Sequence, residues 1–170
     1  SYLAKTSDVW ANGPGHAKAV AWPTGVGGKG NQGVASYVDR IKNSIGYVEY
    51  AYALQNDMTY VSLKNKDGNF VEPTSANFQA AAANADWDNA PGFYEVLTDQ
   101  PGANSWPITG ASFILMHKTT KDPQVAQAVL KFFDWAYANG DAMADQLDYV
   151  PMPDNVVKLV HDKWQEQIQG

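Results

Sequence analysis

The sequence predicts an α/β fold, a mostly parallel or mixed sheet flanked by helices, and three patterns in its 170 residues carry that expectation. Between residues 18 and 48 an apolar run, a glycine-rich turn, an amphipathic helix and a second apolar run follow one another, which is the order of a βαβ unit. Residues 111–117, ASFILMH, form a strongly apolar run that leads into a long amphipathic helix. The third pattern is compositional: 45% hydrophobic and 18% charged residues, with 6 Trp, 9 Tyr and 6 Phe, are too aromatic and too weakly charged for a disordered chain. A chain of this length buries roughly 70% of its unfolded surface, enough for a sizeable core.

Each element has its own local reason. The opening SYLAK reads as helix interior with no capping residue before it, so the chain is expected to begin partway through a domain. Residues 18–22, KAVAW, read as a buried strand ended by Pro23. After the glycine loop a helix is expected from Asn31, a good N-cap, with Val34, Tyr37, Val38 and Ile41 on one inward face. Residues 44–48, SIGYV, give a second strand, and the aromatic run YVEYAY at 47–52 reads as packing at a strand–helix junction. Residues 59–63, TYVSL, give a third strand closed by the turn NKDGN at 65–69.

Beyond Pro73, TSANFQAAAANA is an alanine-rich helix capped by Thr74 or Ser75 and stopping near Asp86. Residues 87–108 carry Pro91, Gly92, Pro101, Gly102 and Pro107 and read as loop with one short helix around 93–97. Residues 111–117 give a further strand. A helix from Asp122 or Pro123 to Ala138 is expected to turn Val125, Val129, Phe132, Phe133 and Ala136 inward and to end at Asn139 and Gly140. A shorter helix to Leu147, a kink at 149–153 and a last helix with Val156, Val157, Val160 and Trp164 on one face complete the chain.

Charge and residue usage exclude several function classes. A net charge of -6 and a pI near 4.8, with no cluster of Lys and Arg, argue against nucleic acid or an anionic membrane as a partner. No apolar run approaches the ~20 residues that span a bilayer, so no direct membrane span is expected. With no cysteine there is no disulfide, thiolate nucleophile or zinc–thiolate site. His16, His117 and His161 lack carboxylates at metal-ligand spacing, and Asp86 with Asp88, or Asp141 with Asp145 and Asp148, read as solvated helix ends. Neither a catalytic residue set nor a metal nor a cofactor is expected, and the chain reads as a non-enzyme.

The glycine loop is the one motif with two chemical readings. Gly25, Gly27 and Gly30 satisfy G-x-G-x-x-G, and Glu49 stands about 20 residues on, where a dinucleotide fold places its ribose-binding acid. The alternative function is therefore a nucleotide-dependent enzyme using residues 25–33. Against it, Asn31 would start the helix after Gly30, and Trp22, Pro23 and Thr24 make the turn too long for a tight fingerprint. A P-loop fails because Lys29 is followed by Gly30 rather than Ser or Thr. A plain structural loop and a small-anion cleft remain.

Five blocks, KAVAWPTGVGGKGNQGVASYV, SIGYVEYAYALQN, SWPITGASFILMHK, VLKFFDWAYANG and LDYVPMPDNVV, stand in an order and spacing that closely resembles the PstS phosphate-binding proteins of the bacterial phosphate ABC transporter. The resemblance runs over essentially the whole chain. It implies a type II periplasmic-binding-protein fold: two α/β lobes joined by crossing strands that close on one phosphate. Residues 1–107 would be most of the second lobe and 108–170 the return into the first, with the hinge near 106–112. Such proteins are periplasmic or anchored at the extracytoplasmic surface, and they deliver phosphate to the transporter permease.

The family's Arg-x-x-x-Ser-Gly-Thr phosphate loop and its acceptor carboxylate have no counterpart in this chain and would lie upstream of Ser1. The resemblance thus implies a C-terminal fragment lacking most of the ligand residues, with the N-terminal half of the same protein as partner alongside inorganic phosphate and the ABC transporter permease. Strand ends in such a lobe face the cleft, which leaves Gly30 and Asn31 as the cleft-lining candidates here.

Overall fold

Ser7 divides the first helical stretch of the chain, and a computed structural model describing residues 1–168 shows how. Its backbone is extended (φ -146°), ending α1 (Tyr2–Thr6), and its hydroxyl accepts a hydrogen bond from the Trp10 amide at 3.3 Å to start α2 (Asp8–Asn12). The chain forms two units, Ser1–Val61 and Ser62–Gly170. Residues 169–170, the end of the predicted 108–170 segment, lie outside the described residues.

The first unit also contains α3 (Gly30–Arg40) and α4 (Tyr50–Gln55). On α3, Ala35 is buried and Val34 and Val38 are half-buried, as their spacing predicts. Tyr37 and Ile41, expected on the same inward face, are exposed at 39% and 43%. Gly46 crosses this helix so closely that an added Cβ would lie 2.8 Å from both Val34 Cγ1 and Val38 Cγ2. Aromatic contacts tie residues 18–22 and 44–48 into the unit: Trp22 lies 5.3 Å from Trp10 and 5.9 Å from Tyr47, centroid to centroid.

The Gly46 contact yields a direct expectation. Gly46→Ala forces a methyl against two β-branched side chains whose rotamers are stiff, and overpacking of this kind costs about 1–3 kcal/mol. Urea unfolding should show the loss, and adding Val34→Ala should recover part of it because the clash is shared. Equal effects in the two backgrounds would show that the contact is not limiting.

In the second unit the antiparallel pair β1 (Leu63–Lys64) and β2 (Phe70–Val71) matches Leu63 to Val71 and Lys64 to Phe70 around the predicted turn. Helix α5 (Ser75–Ala83) is capped by Thr74, whose hydroxyl accepts from the Asn77 amide at 3.3 Å. A 3-10 turn (Pro91–Phe93) follows in the loop region. Helix α6 (Pro123–Asn139) is capped by Asp122, whose carboxylate accepts from the Gln124 and Val125 amides at 3.1 and 3.2 Å. Helices α7 (Asp141–Gln146) and α8 (Asp154–Gln167) complete the unit.

The core of this unit is Ala82, Trp87, Leu97 and Val156, with Phe93, Met152 and Leu159 packed against it. Two side-chain amides bind α8 and the segment before it to α5: Asn155 Nδ2 donates to Ala83 O at 3.1 Å and Gln79 Nε2 to Pro151 O at 3.2 Å. A buried polar brace lies under the loop of residues 98–108. Asn65, only 5% exposed, donates to the carbonyls of Gly102 and Ala103 at 3.1 and 2.9 Å and accepts from the Asn69 amide at 3.0 Å. The loop's own ends close through a Thr98–Ile108 bridge, with Asp99 N donating to Pro107 O at 2.9 Å.

The predicted mostly parallel or mixed sheet is not formed among the described residues, where the only ladder is the two-stranded β1–β2 pair. Residues 18–22, 44–48 and 111–117 form no strand, and of the 59–63 run only Leu63 enters the ladder. A strand exists only as a pair, because its amides and carbonyls need a facing backbone, and periodicity reports the apolar face without the partner. The consequence is visible at Ile114 and Leu115, which are 52% and 92% exposed. Helix α6 likewise buries Ala126 but leaves Val125 and Phe132, both expected inward, 57% and 60% exposed. No helix among the described residues is long and apolar enough to cross a membrane.

Candidate functional site

The glycine loop leads into α3 and turns back on it. An added Cβ at Gly28 would strike the Val34 amide nitrogen and lie 2.6 Å from the Gly33 carbonyl carbon, so the loop packs against the helix's own first turn. Only a residue without a side chain fits there. Gly30, the first helical residue, has φ +64°, a left-handed conformation that glycine adopts without strain.

Asn31 does not cap the helix. Lys29 holds the N-cap position, no side chain caps α3, and the Asn31 carboxamide is used elsewhere. Its Oδ1 accepts from the Glu49 amide at 3.0 Å and its Nδ2 donates to Glu49 Oε2 at 3.3 Å. An N-cap side chain must fold back on the amides of its own first turn; Asn31 stands one residue inside the helix, where its side chain projects away from them. Glu49, the acid that a dinucleotide reading would assign to a ribose, is thereby committed to Asn31 and stands as the N-cap of α4.

The histidines fall in two settings. His16 and His117 are exposed. His161 on α8 lies 3.4 Å from Asp134 Oδ1 on α6, with its ring 5.1 Å from Trp164 and 6.0 Å from Tyr137. Burial in the same place pushes the Tyr137 phenol above its ordinary value. An open groove of about 360 Å³ runs beside them, lined by Leu130, Lys131, Asp134, His161 and Trp164 among others. The sequence gives no signal for the His161–Asp134 contact, because the two residues sit on separate helices whose packing sets the distance. Among the described residues, no group of three or more His, Asp and Glu side chains could hold a metal ion. Asp86 is engaged by Asn89, whose Nδ2 donates to both carboxylate oxygens at 2.9 Å.

The structure thus pairs Asn31, next to Gly30 in sequence, with Glu49 and gathers no metal-binding group of acids and histidines among the described residues. No protein-family model matches the chain. Among curated proteins it is similar to the phosphate-binding protein PstS of Pasteurella multocida, 51% identical over 170 residues, which is all of this chain and 49% of that protein. Its likeness to the protein of the same name from Haemophilus influenzae is 49% over 169 residues, covering 99% of this chain and 51% of the relative. A Xylella fastidiosa PstS is 51% identical over 169 residues, covering 99% of this chain and 46% of the relative. The chain spans about half the length of these relatives. Matched from end to end at half identity, it belongs, over that span, to the family of PstS phosphate-binding proteins.

Proposed function

We propose that this chain is part of a solute-binding protein that captures inorganic phosphate and delivers it to the permease of an ABC transporter, in the periplasm or at the extracytoplasmic surface. The observation that carries the reading is the match at about 50% identity, along the whole chain, to proteins named for phosphate binding. In this reading the chain is the C-terminal half and works by binding rather than catalysis. Residues 1–107 supply most of the second lobe of a type II periplasmic-binding-protein fold, 108–170 return into the first, and the crossing lies near 106–112. Gly30 and Asn31 line the cleft side of the second lobe.

The acidic balance of the chain fits such a role. A desolvated phosphate is held by local dipoles, helix N-termini and one arginine, so a positive net charge is not required. The exposed apolar residues Ile114, Leu115, Val125 and Phe132 are then the surface on which the remaining half of the protein packs. The alternative of a nucleotide-dependent enzyme has no support in the names of the PstS relatives that match the whole chain, and Glu49 is already paired with Asn31.

Tryptophan fluorescence tests the assignment in a protein that carries these residues together with the preceding half. Six tryptophans report on closure. Saturable change with inorganic phosphate and none with NAD is the expected result; a saturable response to NAD alone would replace this reading with the nucleotide one.

A further inference from the structure

We propose that Asn31 and Glu49 act as a two-point latch that fixes the start of α4 against the start of α3. One carboxamide engages both the main chain and the side chain of a residue eighteen positions away: Oδ1 accepts from Glu49 N at 3.0 Å and Nδ2 donates to Glu49 Oε2 at 3.3 Å. Such two-point contacts fix orientation as well as distance. The intervening chain is otherwise held to α3 by Gly46, packed against Val34 and Val38, and by Ser44 Oγ, which donates to Val38 O at 3.3 Å, while Tyr47 packs on Trp22. Residues 41–48 form neither helix nor strand, and Ile45 and Tyr47 are 82% and 72% exposed. Neither α3 nor α4 has a side-chain cap, and the latch engages the main chain of Glu49, the residue from which α4 starts.

The assignment changes what Asn31 can do. Its side chain is committed within the chain, which makes it a positioning residue for the glycine loop and α4 rather than a free donor to a ligand. The latch goes beyond the phosphate reading and does not depend on it.

Amide hydrogen exchange followed by NMR at neutral pH, on the 170-residue chain, tests the latch through a reciprocal swap. Asn31→Ala should lower protection of the Glu49 amide roughly tenfold while residues 35–40 of α3 keep theirs, as expected for loss of one hydrogen bond. Asn31→Asp should also lower it, because two carboxylates then face each other. Combining Asn31→Asp with Glu49→Gln should restore protection, since the new carboxamide donates to the new carboxylate and the bond count is kept with its direction reversed. Rescue by the double variant supports the latch, because a purely steric role for Asn31 would not depend on donor direction. Unchanged protection in Asn31→Ala, or a double variant no better protected than Asn31→Asp, overturns it. No arm involves phosphate, so the latch and the phosphate assignment can fail independently.

Discussion

Trp87→Ala should cost the second unit about 3–5 kcal/mol, the range for removing a buried large aromatic side chain. The indole is only 3% exposed and sits at the centre of the Ala82, Leu97 and Val156 cluster. It stacks on Phe93 at 5.1 Å with an interplanar angle of 28° and lies 6.4 Å from Phe113. Its Nε1 donates to Ala82 O at 2.7 Å, so truncation removes a hydrogen bond as well as packing. Trp87→Phe separates the two terms by keeping a ring in the cavity while losing the donor, and it should cost clearly less than Trp87→Ala. Circular dichroism during urea unfolding is the suitable readout because the other tryptophans confuse fluorescence. A shift below about 1 kcal/mol for Trp87→Ala would mean that this cluster is not the core.

Gly102→Val should be nearly as damaging, at about 3–4 kcal/mol, for a backbone reason added to a steric one. Gly102 has φ +112°, where a β-branched residue is strained. A Cβ there would also strike Asn84 Nδ2 and lie 2.7 Å from Ser105 Oγ. These two groups are hydrogen-bonded to each other at 3.3 Å, and Ser105, fully buried, donates to Pro101 O at 2.6 Å. The Gly102 carbonyl accepts from both Asn65 Nδ2 and the Ser105 amide, so displacing it leaves several buried polar groups unpaired. Gly102→Ala should fall between wild type and Gly102→Val, and Asn84→Ala should relieve part of the Gly102→Ala cost. Wild-type stability in Gly102→Val would contradict both the backbone and the brace assignments.

Local signals in the sequence translated well where the chemistry is local. Thr74 and Asp122 cap α5 and α6 because a short oxygen-bearing side chain just before a helical run reaches the next amides within its own turn. The turn at 65–69 follows from Asn, Asp and Gly, and Val156 is core as its spacing predicts. Contacts set by distant partners were not legible. Asn31 looks like a cap from its neighbours, but Glu49 takes its side chain. Phe132 and Val125 have helical periodicity yet stay exposed, because amphipathicity marks a face without saying what covers it. The runs at 18–22, 44–48 and 111–117 are apolar for the same reason: they carry the composition of buried strands, and pairing depends on backbone that periodicity does not describe. Family membership was legible because five blocks in register outweigh any one motif, and the match along the whole chain bears it out.

Isothermal calorimetry with inorganic phosphate tests the central claim most directly, comparing these 170 residues with a protein in which the preceding half is restored. A desolvated phosphate must exchange its hydration for several charge-assisted hydrogen bonds, each worth roughly 1.5–3 kcal/mol, and one missing partner is costly. In the proposed assignment the arginine and the Ser-Gly-Thr amides come from the preceding half, and Lys29 is a flexible, strongly hydrated cation that cannot replace them. The chain alone should give no saturable heat, and the completed protein should bind at micromolar concentration or tighter. Micromolar binding by the chain alone, abolished by Lys29→Ala or Asn31→Ala, would contradict this account and place the phosphate site in the glycine loop.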